Sequence, residues 1–410
     1  RAIGERRVKL ARALIFVTLA YALGWARQVH SSALNAPAGQ GGVTFERVEA
    51  VYRFGGQVDF LAVILSPSPL QSASITVFDQ RLNVLRSEPL TVNPDGASQF
   101  ILDARQTNMR AFTLVYWRYD LVLGDGAAFQ SEFFSFRYDD NRFDWQELEE
   151  GGLRLRWTQG DEAFAQNMLG AARAGLDAIG QYFPVDLAQP VDLFIYASQA
   201  DMQFPGYDSW VVGVAEPSSN VALAVIEPGD QQTELMGWRI PHELMHVMMY
   251  RYLGEGYDHT PAWLREGFAT LVEANPTPEY DNALSSAAAR DALIPFVDLC
   301  ASFPVQADSA FVAYAQARSF VAFLRDTFGV TKLVDLATAY ADGMACDSGV
   351  ELVYGLTLTQ LEADWRQSAL GQDVANTALQ ATFPYLVLLC VMLVIPLALG
   401  LNAMRQKTRK

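Results

Sequence analysis

Residues 242–246 read HELMH, and residues 260–269 read TPAWLREGFA. On an α-helix, positions i and i+4 project from the same face, so the imidazoles of His242 and His246 can reach one metal ion. Glu243, between them, then lies close enough to handle a bound water. The whole chain has only four histidines among 410 residues, so coincidence is a poor explanation for this spacing. The first segment therefore predicts a metal site on a helix.

Two histidines do not complete a catalytic site, which uses three protein ligands and keeps one position open. In the second segment, Thr260 as N-cap and Pro261 at the first helical position predict a helix start. Glu266 would then lie in the second turn and could face the first helix. Pro241 either opens the first helix or kinks a longer helix that begins near Gln232.

These segments resemble the gluzincin metallopeptidases, and specifically the peptidase MA-like domains of exported bacterial proteins. The resemblance covers about Trp145 to Ala369. It rests on the HExxH motif, on the WLxEGxA segment at 263–269, and on a helical tail with YAQA at 314–317, FG at 328–329 and LExxW at 361–365.

The resemblance implies a thermolysin-like α+β fold and a zinc ion bound by His242, His246 and Glu266. It also implies that Glu243 is the general base and that Tyr314 supports the transition state. The residues alone leave open that Tyr314 only packs in a core.

Other polar residues near these segments receive structural interpretations. We expect Glu273 to lie at a solvated helix end rather than to orient a ligand histidine, and His259 to lie in a loop. Thermolysin-like enzymes carry an acidic residue four positions after the third ligand, where this chain has Thr270. Cys300 and Cys346 form either a disulfide or two buried free thiols.

The hydrophobic pattern predicts two extracytoplasmic domains. From Val43 to Tyr138 apolar residues alternate between turn signals, which predicts an all-β sandwich of immunoglobulin or fibronectin type over residues 43–140. Strands followed by helices predict the α+β peptidase domain over residues 145–370. The resemblance to gluzincins implies that the strand at 220–226 is an edge strand that pairs with an extended substrate, whereas the residues alone also allow a core strand with one exposed edge.

Both ends of the sequence predict membrane targeting. Basic residues followed by the apolar run from Ala13 to Ala26 indicate a signal peptide, in preference to a retained anchor, over residues 1–27. Residues 383–402 form an uncharged apolar stretch followed by a basic tail at 403–410, which predicts a single transmembrane helix with the tail in the cytoplasm. Residues 28–42 and 371–382 are predicted linkers. The catalytic domain would lie outside the cytoplasm at the cell membrane.

The composition limits the partners. The net charge is -16, from 46 acidic and 30 basic residues, which argues against binding to nucleic acid. A hydrophobic share of 51% excludes a disordered chain.

The sequence therefore predicts a membrane-anchored zinc peptidase that acts on a peptide or protein substrate. An endopeptidase is preferred, because the segment that aminopeptidase relatives use to hold a free N-terminus is lacking. The alternative is a catalytically silent surface binding or scaffold protein that keeps the zinc-peptidase fold. A purely structural zinc site is disfavoured, since such sites are usually closed by four protein ligands.

Overall fold

The computed structural model describes residues 42–204, 210–274 and 278–372, together with positions 385, 388, 389 and 392. The predicted signal peptide lies outside the described residues, as do most of the predicted transmembrane segment and the whole basic tail. Within the described part of the chain, no helix combines the length and the apolar character needed to cross a membrane.

The chain divides into two compact units. Among the described residues, the first comprises those up to Gly170 together with those of Asp186–Arg239, and the second comprises Ala171–Val185 together with those from Ile240 onward. The first unit contains the described strands, and the second contains the residues of the predicted metal site.

Two antiparallel sheets open the first unit. Their strands are β1 (Thr44–Tyr52), β2 (Gln57–Leu65), β3 (Leu70–Phe78), β4 (Val84–Pro89), β5 (Ala97–Asp103), β6 (Leu114–Leu123), β7 (Ala128–Gln130) and β8 (Phe134–Arg137). One sheet has the order β1-β2-β5, and the other has the order β4-β3-β6-β7 with β8 also paired to β6. The rings of Phe60 in β2 and Trp117 in β6 meet edge to face at 5.2 Å between centroids. Alternate residues point into this shared core, which confirms the predicted all-β region.

A mixed five-stranded sheet completes the first unit. It consists of β9 (Gln146–Glu150), β10 (Leu153–Trp157), β11 (Val191–Tyr196), β12 (Gly213–Glu216) and β13 (Val221–Val225), in the order β12-β13-β11-β10-β9. The expectation that the strand near 220–226 lies at an edge is wrong. β12 pairs with β13 on one side, β11 pairs with it on the other, and all five of its residues are buried. The edge on this side is β12.

A buried carboxylate joins the antiparallel sheets to the mixed sheet within the first unit. Asp192 in β11 is 3% exposed and accepts hydrogen bonds from Arg137, Arg154 and Arg156 at 2.5, 3.1 and 2.8 Å. Arg137 belongs to β8, whereas the other two arginines belong to β10. A buried charge is tolerated only when it is paired in this way, so the network fixes how these sheets meet.

Eight α-helices have both their ends within the described residues. They are α1 (Glu162–Ile179), α2 (Gln232–Leu253), α3 (Ala262–Leu271), α4 (Pro278–Ala289), α5 (Ala307–Phe328), α6 (Val330–Ala341), α7 (Cys346–Tyr354) and α8 (Leu358–Leu370). Pro241 lies inside α2 and does not open it. Of the two arrangements that the sequence allowed, the structure therefore has the longer helix, which begins at Gln232. A Cβ atom at Gly175 in α1 would lie 2.9 Å from the Pro241 ring. A glycine there lets α1 approach α2 at the proline.

Helix α3 begins one residue later than expected. Pro261 occupies the cap position, and its carbonyl accepts hydrogen bonds from the amides of Leu264 and Arg265. The prediction that Thr260 caps the helix is wrong, since no side chain caps α3. The chain enters the helix from an extended residue at Pro261, which leaves Thr260 outside the first turn.

Helix α3 packs closely against α5 at Gly267. A Cβ atom there would lie 2.9 Å from the carbonyl oxygen of Ala317 and would also clash with the Val321 side chain. Rotation of a side chain cannot remove a clash with a backbone oxygen. Glycine is therefore the residue that allows α3, which carries Glu266, to contact α5, which carries Tyr314.

Cys300 and Cys346 are bonded as a disulfide, which is one of the two alternatives that the sequence left open. The bridge lies at the start of α3. The Ala262 amide donates to the Cys300 carbonyl at 2.9 Å, and the Trp263 indole nitrogen donates to the Cys346 sulfur at 3.4 Å. The first turn of α3 is therefore held by the cross-linked segment.

The Gly267 contact gives a test of the packing between α3 and α5. We expect Gly267→Ala to lower the free energy of unfolding by about 1–3 kcal/mol, because the added methyl overpacks a helix contact. Gly170→Ala is the matched control, since nothing lies within 4 Å of a Cβ atom at Gly170 in α1. That control should raise stability by up to about 1 kcal/mol, because alanine favours helix. Chemical denaturation followed by circular dichroism measures both, and an unchanged midpoint for Gly267→Ala would refute the packing argument.

Candidate metal centre

The structure brings the three predicted ligands together. The Nε2 atom of His242 lies 3.4 Å from Oε2 of Glu266, and the Nε2 atom of His246 lies 3.6 Å from the same oxygen. One potential ligand atom from each residue falls within 4.8 Å of the others. The two histidines are one turn apart on α2, and Glu266 faces them from α3. The three side chains are 9–19% exposed, so the site is sheltered but open to a ligand.

The other nitrogen of each imidazole has its own partner. Nδ1 of His242 lies 2.8 Å from Oε1 of Glu273, and Nδ1 of His246 lies 2.9 Å from the Tyr257 hydroxyl. The expectation that Glu273 is solvated is wrong, because its side chain is only 1% exposed. Helix α3 ends at Leu271, two residues before Glu273, and the Glu273 carboxylate lies beside the His242 imidazole. Both imidazoles are thus oriented with Nε2 toward Glu266.

Glu243 is 6% exposed and lies between the two histidines on α2. Burial raises the pKa of this carboxyl, against the lowering effect of the charges of His242 and His246. The nearby carboxylates Glu266 and Glu273 raise it further. Glu243 is therefore a stronger base than an exposed glutamate.

Glu266 and His242 stabilise each other's charged forms in the protein without metal. Burial by itself would raise the pKa of Glu266, but the charge of His246 and hydrogen bonds from both histidines hold it well below its ordinary value. Burial likewise opposes the charged form of His242, yet hydrogen bonds to Glu266 and Glu273 raise its pKa well above the ordinary value. The carboxylates of Glu266 and Glu273 therefore favour positive charge in this pocket.

Tyr314, from α5, lies beside the ligands. Its ring centroid is 6.0 Å from that of His242, and Phe303 packs against it edge to face at 5.0 Å. The negative charge of Glu266, followed by burial, raises the pKa of the phenol well above its ordinary value. The hydroxyl therefore stays protonated across the neutral range and can donate a hydrogen bond.

Two other residues that the sequence singled out lie outside the ligand set. His259 is exposed, at the end of a 3-10 helix over Gly254–His259. The Thr270 hydroxyl donates to the carbonyls of Glu266 and Gly267 within α3. The sequence did not indicate Tyr257, because the helix of His246 ends at Leu253 and Tyr257 lies in the 3-10 helix that follows it.

The donor set fits a zinc-type centre. Two imidazole nitrogens and one carboxylate oxygen are the protein ligands of many catalytic zinc sites, which leave a fourth position open. Orientation of the ligand histidines by further hydrogen bonds is also the usual arrangement around such a metal. The geometry thus defines the class of site, a three-ligand metal centre on two packed helices with an adjacent glutamate.

Comparison with known proteins agrees with this class. Residues 171–371 match the family model described as the Peptidase MA superfamily. This part of the chain is therefore a peptidase MA-like domain, which confirms the resemblance found in the sequence. No curated protein matches the chain.

Several solved structures are similar to parts of the chain. The M1 zinc metallopeptidase from Deinococcus radiodurans is 12% identical, with 80% of this chain and 95% of that one covered and a TM-score of 0.33. An aminopeptidase N family protein from Idiomarina loihiensis is 8% identical, with 77% of this chain and 74% of that one covered and a TM-score of 0.39. These scores are low, so the domain assignment rests on the family model.

The contact between Glu273 and His242 gives a test of the centre. We expect Glu273→Gln to weaken the binding of Zn²⁺ about 10- to 100-fold, because the neutral amide holds the Nδ1 proton of His242 less strongly than a carboxylate does. Glu279→Gln in α4 removes one exposed charge nearby and should leave the affinity unchanged. Competition against a chromophoric chelator measures both variants. Equal affinities for wild type and Glu273→Gln would show that Glu273 does not support the site.

Proposed function

We propose that the protein is a zinc-dependent peptidase in which His242, His246 and Glu266 hold the metal. The observation that carries the proposal is the convergence of both Nε2 atoms on one oxygen of Glu266. The buried Glu243 stands between the two histidines on the same helix. We also propose the finer assignment of this domain to the thermolysin-like gluzincins and of the N-terminal sheets to an immunoglobulin or fibronectin type.

Hydrolysis of a peptide bond needs an activated water and a stabilised oxyanion. When bound, zinc supplies a Lewis acid that polarises the scissile carbonyl and makes water more acidic. The Glu243 carboxylate accepts the proton from the attacking water and then passes it to the leaving nitrogen.

Tyr314 would complete the site. Its phenol stays protonated beside the ligands, so it can donate a hydrogen bond to the oxyanion that forms on the substrate carbonyl. Helix α5 fixes its position, since α5 packs against α3 at Gly267. The helix that carries the third ligand thus also sets the distance to the proposed oxyanion donor.

The alternative, a silent binding protein that keeps the fold, is not favoured. All three ligands, both partners of the histidines and the buried Glu243 are present together. Within the peptidase class we propose an endopeptidase, because the sequence lacks the segment that aminopeptidase relatives use to bind a free N-terminus.

We further propose that the peptidase domain works outside the cytoplasm, attached to the cell membrane through residues 383–402. The disulfide between Cys300 and Cys346 supports an oxidising compartment, in which such bonds persist. The apolar stretch and its basic tail support the attachment. Release of the chain from membranes by salt alone would contradict the anchor.

Glu243→Gln tests the proposed base. We expect this variant to bind Zn²⁺ as the wild type does and to lose at least 1,000-fold in kcat, because the amide cannot accept the proton. Glu234→Gln is the matched control, as an exposed glutamate in the first turn of the same helix, and it should keep full activity. Cleavage of a peptide library, with and without chelator, supplies the assay. Equal proteolysis by Glu243→Gln and wild type would overturn the mechanism.

Tyr314→Phe tests the proposed oxyanion donor. We expect kcat to fall about 100- to 1,000-fold, the usual loss for one such donor, with Zn²⁺ affinity unchanged. The ring stays in place, since its contact with Phe303 does not use the hydroxyl. Unchanged kcat would show that Tyr314 only packs beside the site.

A further inference from the structure

The contact between Tyr257 and His246 goes beyond the residues that the proposed chemistry uses. The phenol oxygen lies 2.9 Å from Nδ1 of His246, and the tyrosine is 8% exposed. Its ring meets the imidazole at 84° with 6.4 Å between centroids. The hydroxyl, rather than stacking of the rings, is therefore the part of Tyr257 that acts on the ligand.

The direction of this hydrogen bond follows from the chemistry of imidazole. A neutral histidine carries one proton, on either Nδ1 or Nε2. When Nε2 binds a metal, the proton must be on Nδ1, and the phenol oxygen accepts it. In the protein without metal, the proton can instead lie on Nε2, which faces Glu266 at 3.6 Å, and the phenol then donates to Nδ1.

The two ligand histidines therefore have partners of different character. The Glu273 carboxylate is an acceptor for His242. The Tyr257 phenol can donate or accept a hydrogen bond. The phenol can satisfy His246 both before and after a metal binds, without placing a fourth negative charge beside Glu243, Glu266 and Glu273.

The position of Tyr257 is fixed by packing that does not involve its hydroxyl. A Cβ atom at the preceding Gly256 would lie 2.5 Å from the Ala341 carbonyl oxygen, so only glycine lets this 3-10 helix rest on α6. The Tyr257 carbonyl accepts from the amide of Thr260 at 3.1 Å. The Arg265 guanidinium lies 5.2 Å from the centroid of the tyrosine ring. Removal of the hydroxyl alone should therefore leave the ring in place.

We propose that Tyr257 is a positioning residue for the metal centre, which orients His246 so that Nε2 faces Glu266 and which accepts the Nδ1 proton when the metal is bound. This inference rests on the proposed zinc site. It adds Tyr257 as a residue that would affect the metal only through its contact with His246.

The test compares two tyrosines near the end of α2. Tyr257→Phe removes the hydroxyl at His246, whereas Tyr250→Phe removes a hydroxyl that donates to Glu255 at 2.7 Å. We expect the full chain with Tyr257→Phe to bind Zn²⁺ about 10- to 100-fold more weakly, and Tyr250→Phe to bind as the wild type does. Tyr257→Leu removes both the ring and the hydroxyl, so it should weaken Zn²⁺ binding at least as much as Tyr257→Phe does. Competition with a chromophoric chelator measures the affinities, and circular dichroism checks the fold.

Peptide hydrolysis at saturating Zn²⁺ gives a second readout. We expect Tyr257→Phe to recover most of the wild-type kcat, because the residue acts through His246 and not on the substrate. Wild-type affinity in Tyr257→Phe with a loss only in Tyr257→Leu would overturn the inference and leave a packing role. Wild-type affinity with a lowered kcat would also overturn it. A wild-type chain that binds Zn²⁺ without hydrolysis would refute the proposed function alone, and one that binds no Zn²⁺ would refute both.

Discussion

The convergence of His242 and His246 on Glu266 is the interaction on which the site depends. It requires two helices at a fixed distance, since the histidines come from α2 and the glutamate from α3. Gly267, one residue after Glu266, lets α3 press against α5, and the disulfide segment holds its first turn. The ligand geometry is thus a consequence of helix packing, and close-packed helices respond to a change of a single methyl group.

The electrostatics of the centre follow from the same packing. Glu243, Glu266 and Glu273 lie within a largely buried volume, where like charges would repel strongly without compensation. In the protein without metal, the two histidines supply that compensation, which explains the lowered pKa of Glu266 and the raised pKa of His242. A bound divalent cation would take over this role. The arrangement of the carboxylates would therefore favour a bound cation.

The first unit shows a different use of buried charge. Residues of the predicted β-sandwich (43–140) and of the predicted peptidase domain (145–370) share one hydrophobic core. In this core the rings of Phe112 and Phe194 are 4.5 Å apart. Asp192 and its three arginines add a directional contact to this apolar surface. Apolar surfaces can be buried against each other in many orientations, whereas a buried carboxylate finds its hydrogen-bond partners in only a few. The sequence indicated the separate sheets by their patterns but could not indicate that they pack together.

Local sequence determined the elements and most of the proposed ligands. Hydrophobic alternation indicated the strands, and the spacing of His242 and His246 placed two imidazoles on one helix face, because both depend only on backbone periodicity. Tertiary structure decided that Pro241 lies within a long helix, that β13 is interior, and that Glu273 and Tyr257 contact the histidines. These contacts join the histidines of α2 to residues that lie beyond the end of that helix. Their pairing is fixed only when α3 and the 3-10 helix before it pack against α5 and α6.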